Sequence, residues 1–155
     1  MEDFSAIEIL IVEDNPRDAE LTLRALKKNN LANNILVAQD GAEALDFFFC
    51  RGKFEKRSFT TPPKVVLLDL KLPKVSGLEV LKIVKGDKRT SHIPIVVVTS
   101  SKQEPDMKEA YALGVNSYVV KPVDFEQFMD AVKQIGVFWA IVNEIPPEGG
   151  IQNER

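Results

Sequence analysis

Ile9-Leu10-Ile11-Val12-Glu13-Asp14 (ILIVED, residues 9–14) decides the fold: an unbroken apolar run passes directly into two carboxylates. A run of that length without alternation reads as a strand buried on both faces, the pattern of a parallel sheet. The pattern returns further along the chain. Val65 to Leu68 runs into Asp69, Ile95 to Val98 into Thr99 and Ser100, and Tyr118 to Val120 into Lys121 and Pro122. In a parallel sheet, residues just past the carboxyl ends of the strands collect on one edge, where open α/β sheets bind ligands. The carboxylates of Glu13, Asp14 and Asp69, the hydroxyl of Thr99 and the amine of Lys121 are therefore expected to meet. Helix capping accounts for an isolated acid after a strand. It does not account for a cluster, because two like charges ~4 Å apart repel by about 4 kcal/mol at an effective dielectric near 20. A cation or a proton must relieve that repulsion.

Between the runs lie helical segments. Asn15 is placed to cap a helix with Pro16 at its first position, Asp18 in its first turn and Ala19, Leu23 and Leu26 on one face, ending near Lys28. Ile35 to Ala38 forms a short second strand, closed by Asp40-Gly41 before a helix through Ala44, Leu45 and Phe48. After Asp69, a loop with Pro73 leads into a helix from about Ser76 through Leu78, Leu81 and Val84. Pro105 opens a fourth helix that Gly114 terminates. Asp124 caps the last, with Gln127 at capping-box spacing. Successive βα units specify a parallel sheet wrapped on both faces by right-handed crossovers. With the first strand central, the crevice falls between strands one and three, flanked by Glu13, Asp14 and Asp69.

Composition bounds the function. A chain of 155 residues, 45% hydrophobic, is expected to form one domain that buries roughly 68–70% of its unfolded surface. A net charge of -3 argues against non-specific nucleic-acid binding. The single cysteine, Cys50, allows no intrachain disulfide and suits a reducing cytoplasm; it reads as a small buried hydrophobe behind Phe47 to Phe49. No apolar stretch is long enough to span a bilayer and no basic signal-peptide head precedes the first strand, so neither membrane insertion nor export is expected. Arg51, Lys53, Lys56 and Arg57, interleaved with Phe54 and Phe59, precede strand three and so lie opposite Asp69, as a solvated loop or protein-docking surface. His92, the only histidine, has no companion ligands for a metal.

Glu13-Asp14, Asp69 with Pro73 and Gly77 behind it, Thr99 and Lys121-Pro122, in that order and spacing, resemble the receiver domain of two-component response regulators, over roughly Ile7 to Ile135. Glu13-Asp14-Asn15-Pro16, the long segment before Asp69 and Phe138-Trp139 further resemble the single-domain regulators associated with bacterial and cyanobacterial phytochromes. The resemblance implies a flavodoxin-like, doubly wound (βα)5 three-layer sandwich with strand order 2-1-3-4-5. It also implies that Asp69 accepts a phosphoryl group from a histidine kinase, in this subfamily a phytochrome-type photoreceptor kinase. The signal would then pass to a downstream protein or phosphorelay partner. Mg2+ would be held by Asp14 and Asp69, by Glu13 directly or through a water, and by the backbone carbonyl of Lys71, in keeping with a hard cation that wants six oxygens. Glu13 stands where many relatives have Asp. Lys121 would offset the carboxylates and later pair with a phosphoryl oxygen, next to a cis bond at Pro122. Thr99 would act as the switch hydroxyl and Tyr118 as its aromatic partner. Ser100 would supply the small residue beside the acceptor, and Lys71 and Ser101 would tune phosphate loss.

Phe125, Phe128, Val132, Ile135, Trp139 and Val142 continue an apolar seam at spacings of three and four. Gly136 weakens a helix by ~1 kcal/mol, yet the seam runs past it. The receiver is therefore expected to span residues 1–144 with an extended last helix, followed by a flexible tail over 145–155. Phe138, Trp139 and Val142 are candidate contacts of a homodimer. The expected protein is thus a cytoplasmic phosphoacceptor that works on itself and carries no output domain. A haloacid-dehalogenase-like phosphohydrolase is a rival reading, but such enzymes usually place a second acid where this chain has Lys71. A non-phosphorylated adaptor of the same fold is another.

Overall fold

The structure, a computed structural model, describes residues 4–28, 34–100 and 105–137. Its order is β1 (Ile9–Val12), α1 (Pro16–Lys28), β2 (Ile35–Ala38), α2 (Gly41–Phe48), β3 (Val65–Asp69), α3 (Gly77–Lys85), β4 (Ile95–Thr99), α4 (Asp106–Ala112), β5 (Tyr118–Val120) and α5 (Phe125–Gln134). Short 3-10 turns occupy Phe4–Ala6 and Gly52–Phe54. The five strands form one parallel sheet in the order β2-β1-β3-β4-β5, as expected.

The apolar runs are continuous because both faces of the sheet are covered. Alternate strand residues point to opposite sides. Leu10, Val12, Val66, Leu68 and Val97 meet α2, α3 and α4, while Ile9, Ile11, Val65, Leu67, Val96 and Val98 meet α1 and α5. Helix starts follow the expected chemistry. Asn15 Oδ1 accepts from the N–H groups of Arg17 and Asp18 at 2.9 and 3.1 Å, and Asp124 Oδ1 accepts from Gln127 N–H at 2.8 Å. Asp40 and Ser76 cap α2 and α3 in the same way. The glycine opening α3 has a further role. A Cβ on Gly77 would lie 2.1 Å from the carbonyl oxygen of Asp69 and 2.5 Å from Leu70 Cα, so only glycine lets α3 approach the end of β3 this closely.

Several expectations change. The α5 helix ends at Gln134, short of the extended helix read from the seam. Gly136 takes a positive φ of 82°; its N–H donates to Lys133 O at 3.2 Å and that of Val137 to Val132 O at 3.0 Å. This is a Schellman stop, in which glycine satisfies the last carbonyls. Phe138, Trp139, Val142, the 145–155 tail and Ser101 lie outside the described residues. Cys50 is half-buried rather than buried and adopts a φ of 57° in the turn after α2. Arg57, read as part of a solvated loop, is only 8% exposed. Among the described residues, no helix is long and apolar enough to cross a membrane.

Candidate functional site

Strand register assembles the site. Val12 pairs with Leu68, Asp69 with Val98, and Thr99 with Val120, so Glu13, Asp69, Thr99 and Lys121 arrive at one edge. Glu13 and Asp69 are each 6% exposed and Thr99 1%, while Asp14 is exposed. Carboxylate oxygens of Glu13, Asp14 and Asp69 lie within 4.8 Å of one another. A magnesium ion bound at ~2.0–2.1 Å separates opposite oxygens by ~4.2 Å. Small side-chain movements therefore suffice for the three acids to share one divalent cation, and their hard oxygen chemistry suits it.

Lys121 Nζ enters this cluster from the end of β5. It donates to Asp69 Oδ2 at 2.8 Å, to Glu13 Oε2 at 3.2 Å and to Asp18 Oδ2 at 3.2 Å, and it lies 3.0 Å from Glu13 Oε1 in the same ion pair. Its backbone N–H donates to Thr99 O at 2.9 Å, and its bond to Pro122 is cis. Burial alone would lower the Lys121 pKa. Hydrogen bonds to Asp69 and Glu13, together with their charges, overcome it and hold the amine above the ordinary lysine range. The Glu13 pKa is raised as well. Burial pushes its carboxyl up, the neighbouring Asp69 charge adds to that, and Lys121 and the Asn15 N–H oppose it.

The Lys71 N–H donates to Asp69 Oδ1 at 3.1 Å, and that of Asn15 to Glu13 Oε2 at 3.1 Å. Lys71 and Ser100 line the cleft alongside the acids and Lys121. Tyr118 stands apart. It is half-buried on β5, edge-on to Tyr111 of α4 with ring centroids 6.4 Å apart.

Two contributors were not legible beforehand. Asp18, which looks like an ordinary first-turn helix acid, is a further carboxylate on Lys121. The available signal was its position one helical turn beyond Asp14. Gln127 does not close a capping box; its Oε1 accepts from Val120 N–H and its Nε2 donates to Val120 O, both at 2.9 Å. The amide thus serves as an extra strand partner immediately before Lys121 and fixes the backbone from which the amine projects.

A 2-1-3-4-5 sheet with acids after β1, an Asp ending β3 and a Lys after β5 has the architecture of a receiver. The response regulator receiver domain family matches residues 9–133, and the chain belongs to that family. Within it, this chain is similar to bacteriophytochrome response regulators. The structure of the bacteriophytochrome response regulator AtBRR is 56% identical, with a TM-score of 0.78, over 89% of this chain and 98% of that one. Response regulator Rcp1 of Synechocystis sp. is 34% identical over 89% of this chain and 92% of its own length; its Mn(2+)-bound crystal form is 33% identical, with a TM-score of 0.70, over 90% and 97%. The phosphorylated cyanobacterial phytochrome response regulator RcpA is 36% identical, with a TM-score of 0.70, over 86% and 94%.

Proposed function

We propose that this receiver is a phosphoacceptor in which Asp69 takes a phosphoryl group from the phosphohistidine of a sensor kinase. A carboxylate oxygen of Asp69 attacks phosphorus, the P–N bond breaks, and the electron pair leaves with the histidine nitrogen, which is protonated. Glu13, Asp14, Asp69 and the carbonyl of Lys71 would hold Mg2+, which supplies charge neutralisation on the transferring oxygens. Lys121 gives a second positive group at hydrogen-bond range of Asp69 and is free to exchange Oδ2 for a phosphoryl oxygen. Catalysis is then positioning and electrostatics, with the acceptor carboxylate supplied by the chain itself. Loss of phosphate by attack of water reverses the state.

Thr99, buried at the end of β4, is the hydroxyl proposed to turn toward the phosphoryl group. Tyr118 is proposed to respond by leaving its edge-on contact with Tyr111, and small Ser100 leaves room at the cleft. The similarity to AtBRR, Rcp1 and RcpA supports an upstream kinase of phytochrome type, a downstream protein or phosphorelay partner, and a cytoplasmic setting. A homodimer through Phe138, Trp139 and Val142 belongs to the same proposal. It is checked by sedimentation, where Trp139→Ala should shift the protein toward monomer and an unchanged profile would count against it.

The observation that carries the function is the 2.8 Å contact of Lys121 Nζ with Asp69 inside a carboxylate cluster of 4.8 Å span. Acetyl phosphate with Mg2+ should add one phosphoryl group to the parent and none to Asp69→Asn. Label retained on Asp69→Asn would refute the assignment.

A further inference from the structure

An ammonium group has three N–H donors, and Lys121 meets three carboxylates, those of Glu13, Asp18 and Asp69. These acids are not equivalent. Glu13 and Asp69 belong with Asp14 to the cluster whose oxygens can share a cation, so a bound divalent ion competes with the lysine for them. Asp18 is outside that cluster. Its backbone is anchored in the first turn of α1 by the cap on Asn15, and its side chain is 36% exposed. Asp18 Oδ2, 3.2 Å from Nζ, is thus the one of the three partners that the cation cluster does not claim.

We infer that Asp18 is a positioning residue, the carboxylate that keeps hold of Lys121 while the others exchange partners, and that it favours cation loading while restraining the grip of Lys121 on a phosphoryl group. The inference rests on the phosphoacceptor reading above. Its sign follows from charge. Without its negative charge a cation is attracted less, and the released amine returns to Glu13 and Asp69, competing with the cation; both changes weaken Mg2+ binding. The same release leaves Lys121 free to bind a phosphoryl oxygen and removes a repelling anion, so a phosphoryl group is held more tightly. One residue thus acts in opposite directions on two ligands.

The test uses Mg2+ alone and then beryllofluoride, a phosphoryl mimic, at saturating Mg2+, both by calorimetry and without any kinase. Asp18→Asn should raise the Kd for Mg2+ about threefold and lower that for beryllofluoride about threefold, as expected for one screened charge at a partly exposed position. In Lys121→Met, adding Asp18→Asn should tighten beryllofluoride by clearly less than it does in the parent, because only the direct repulsion is then removed; an equal gain in both backgrounds would show that Asp18 does not act through Lys121. A role confined to helix stability would move the unfolding midpoint of Asp18→Asn and neither affinity, and that outcome overturns the inference. Asp18→Ala provides a second variant with the same expected signs. If the parent binds neither Mg2+ nor beryllofluoride, the phosphoacceptor reading itself fails; if it binds both and the variants match it, only the role of Asp18 fails.

Discussion

Lys121 at the carboxyl edge of the sheet and Arg57 at the amino edge are both cations drawn into the fold, yet their partners differ in kind. Lys121 is held by carboxylates just after β1, on α1 and at the end of β3. Arg57 is held by backbone carbonyls, with Nη1 donating to Phe47 O and Nη2 to Thr61 O at 3.3 Å, and its guanidinium lies 3.7 Å above the Phe47 ring centroid. Lys85, also at the amino edge, donates to the carbonyls of Ser91 and Ile93 at 3.2 and 3.3 Å. Burial lowers the pKa of Arg57 and of Lys85, whereas that of Lys121 rises. Carbonyls fixed in turns make a brace that cannot be traded. Carboxylates can be surrendered to a metal ion, so the amine they hold is available to something else.

The largest expected effect breaks the carboxyl edge through its backbone. Gly77→Ala puts a methyl group 2.1 Å from Asp69 O and should cost about 3 kcal/mol in urea unfolding, with Mg2+ affinity falling because β3 must shift. Arg57→Met tests the brace alone. Loss of its charged hydrogen bonds should cost about 2–3 kcal/mol, while the folded variant titrates with Mg2+ like the parent; a changed Mg2+ affinity would show the two edges to be coupled.

Lys121→Met should destabilise the metal-free protein by about 1–2 kcal/mol, because it leaves crowded acids without their counter-charge. Saturating Mg2+ should restore much of that loss, which no ion can do for Arg57→Met. The smallest effect is on pH dependence. A lysine whose folded pKa is raised contributes stability that is complete below its ordinary value of 10.5 and is lost as pH rises through the folded value. Metal-free parent should therefore lose stability above that pH by an amount absent from Lys121→Met, as followed by denaturation midpoints across the alkaline range.

The strands were readable because parallel pairing buries both faces and leaves uninterrupted apolar runs; the polar residue ending each run was correspondingly conspicuous. Asp18 and Gln127 were hidden because each sits where local chemistry already explains it, in a helix first turn and at a capping-box position. The contact between Asp18 and Lys121 spans 103 residues, a separation on which helix periodicity is silent. Arg57 was misread because its acceptors are backbone carbonyls, which every residue carries and no sequence pattern marks. The end of α5 was overestimated for a related reason. The apolar spacing continues past Gly136, but a glycine in the left-handed region closes a helix at little cost.

The most direct measurement is a crystal structure with Mg2+ and beryllofluoride. The account predicts one cation on Asp14, Asp69 and the Lys71 carbonyl, beryllofluoride on Asp69, and Lys121 Nζ within hydrogen-bond distance of a fluorine. A cation bound away from Glu13, Asp14 and Asp69, or beryllofluoride on another residue, would contradict it.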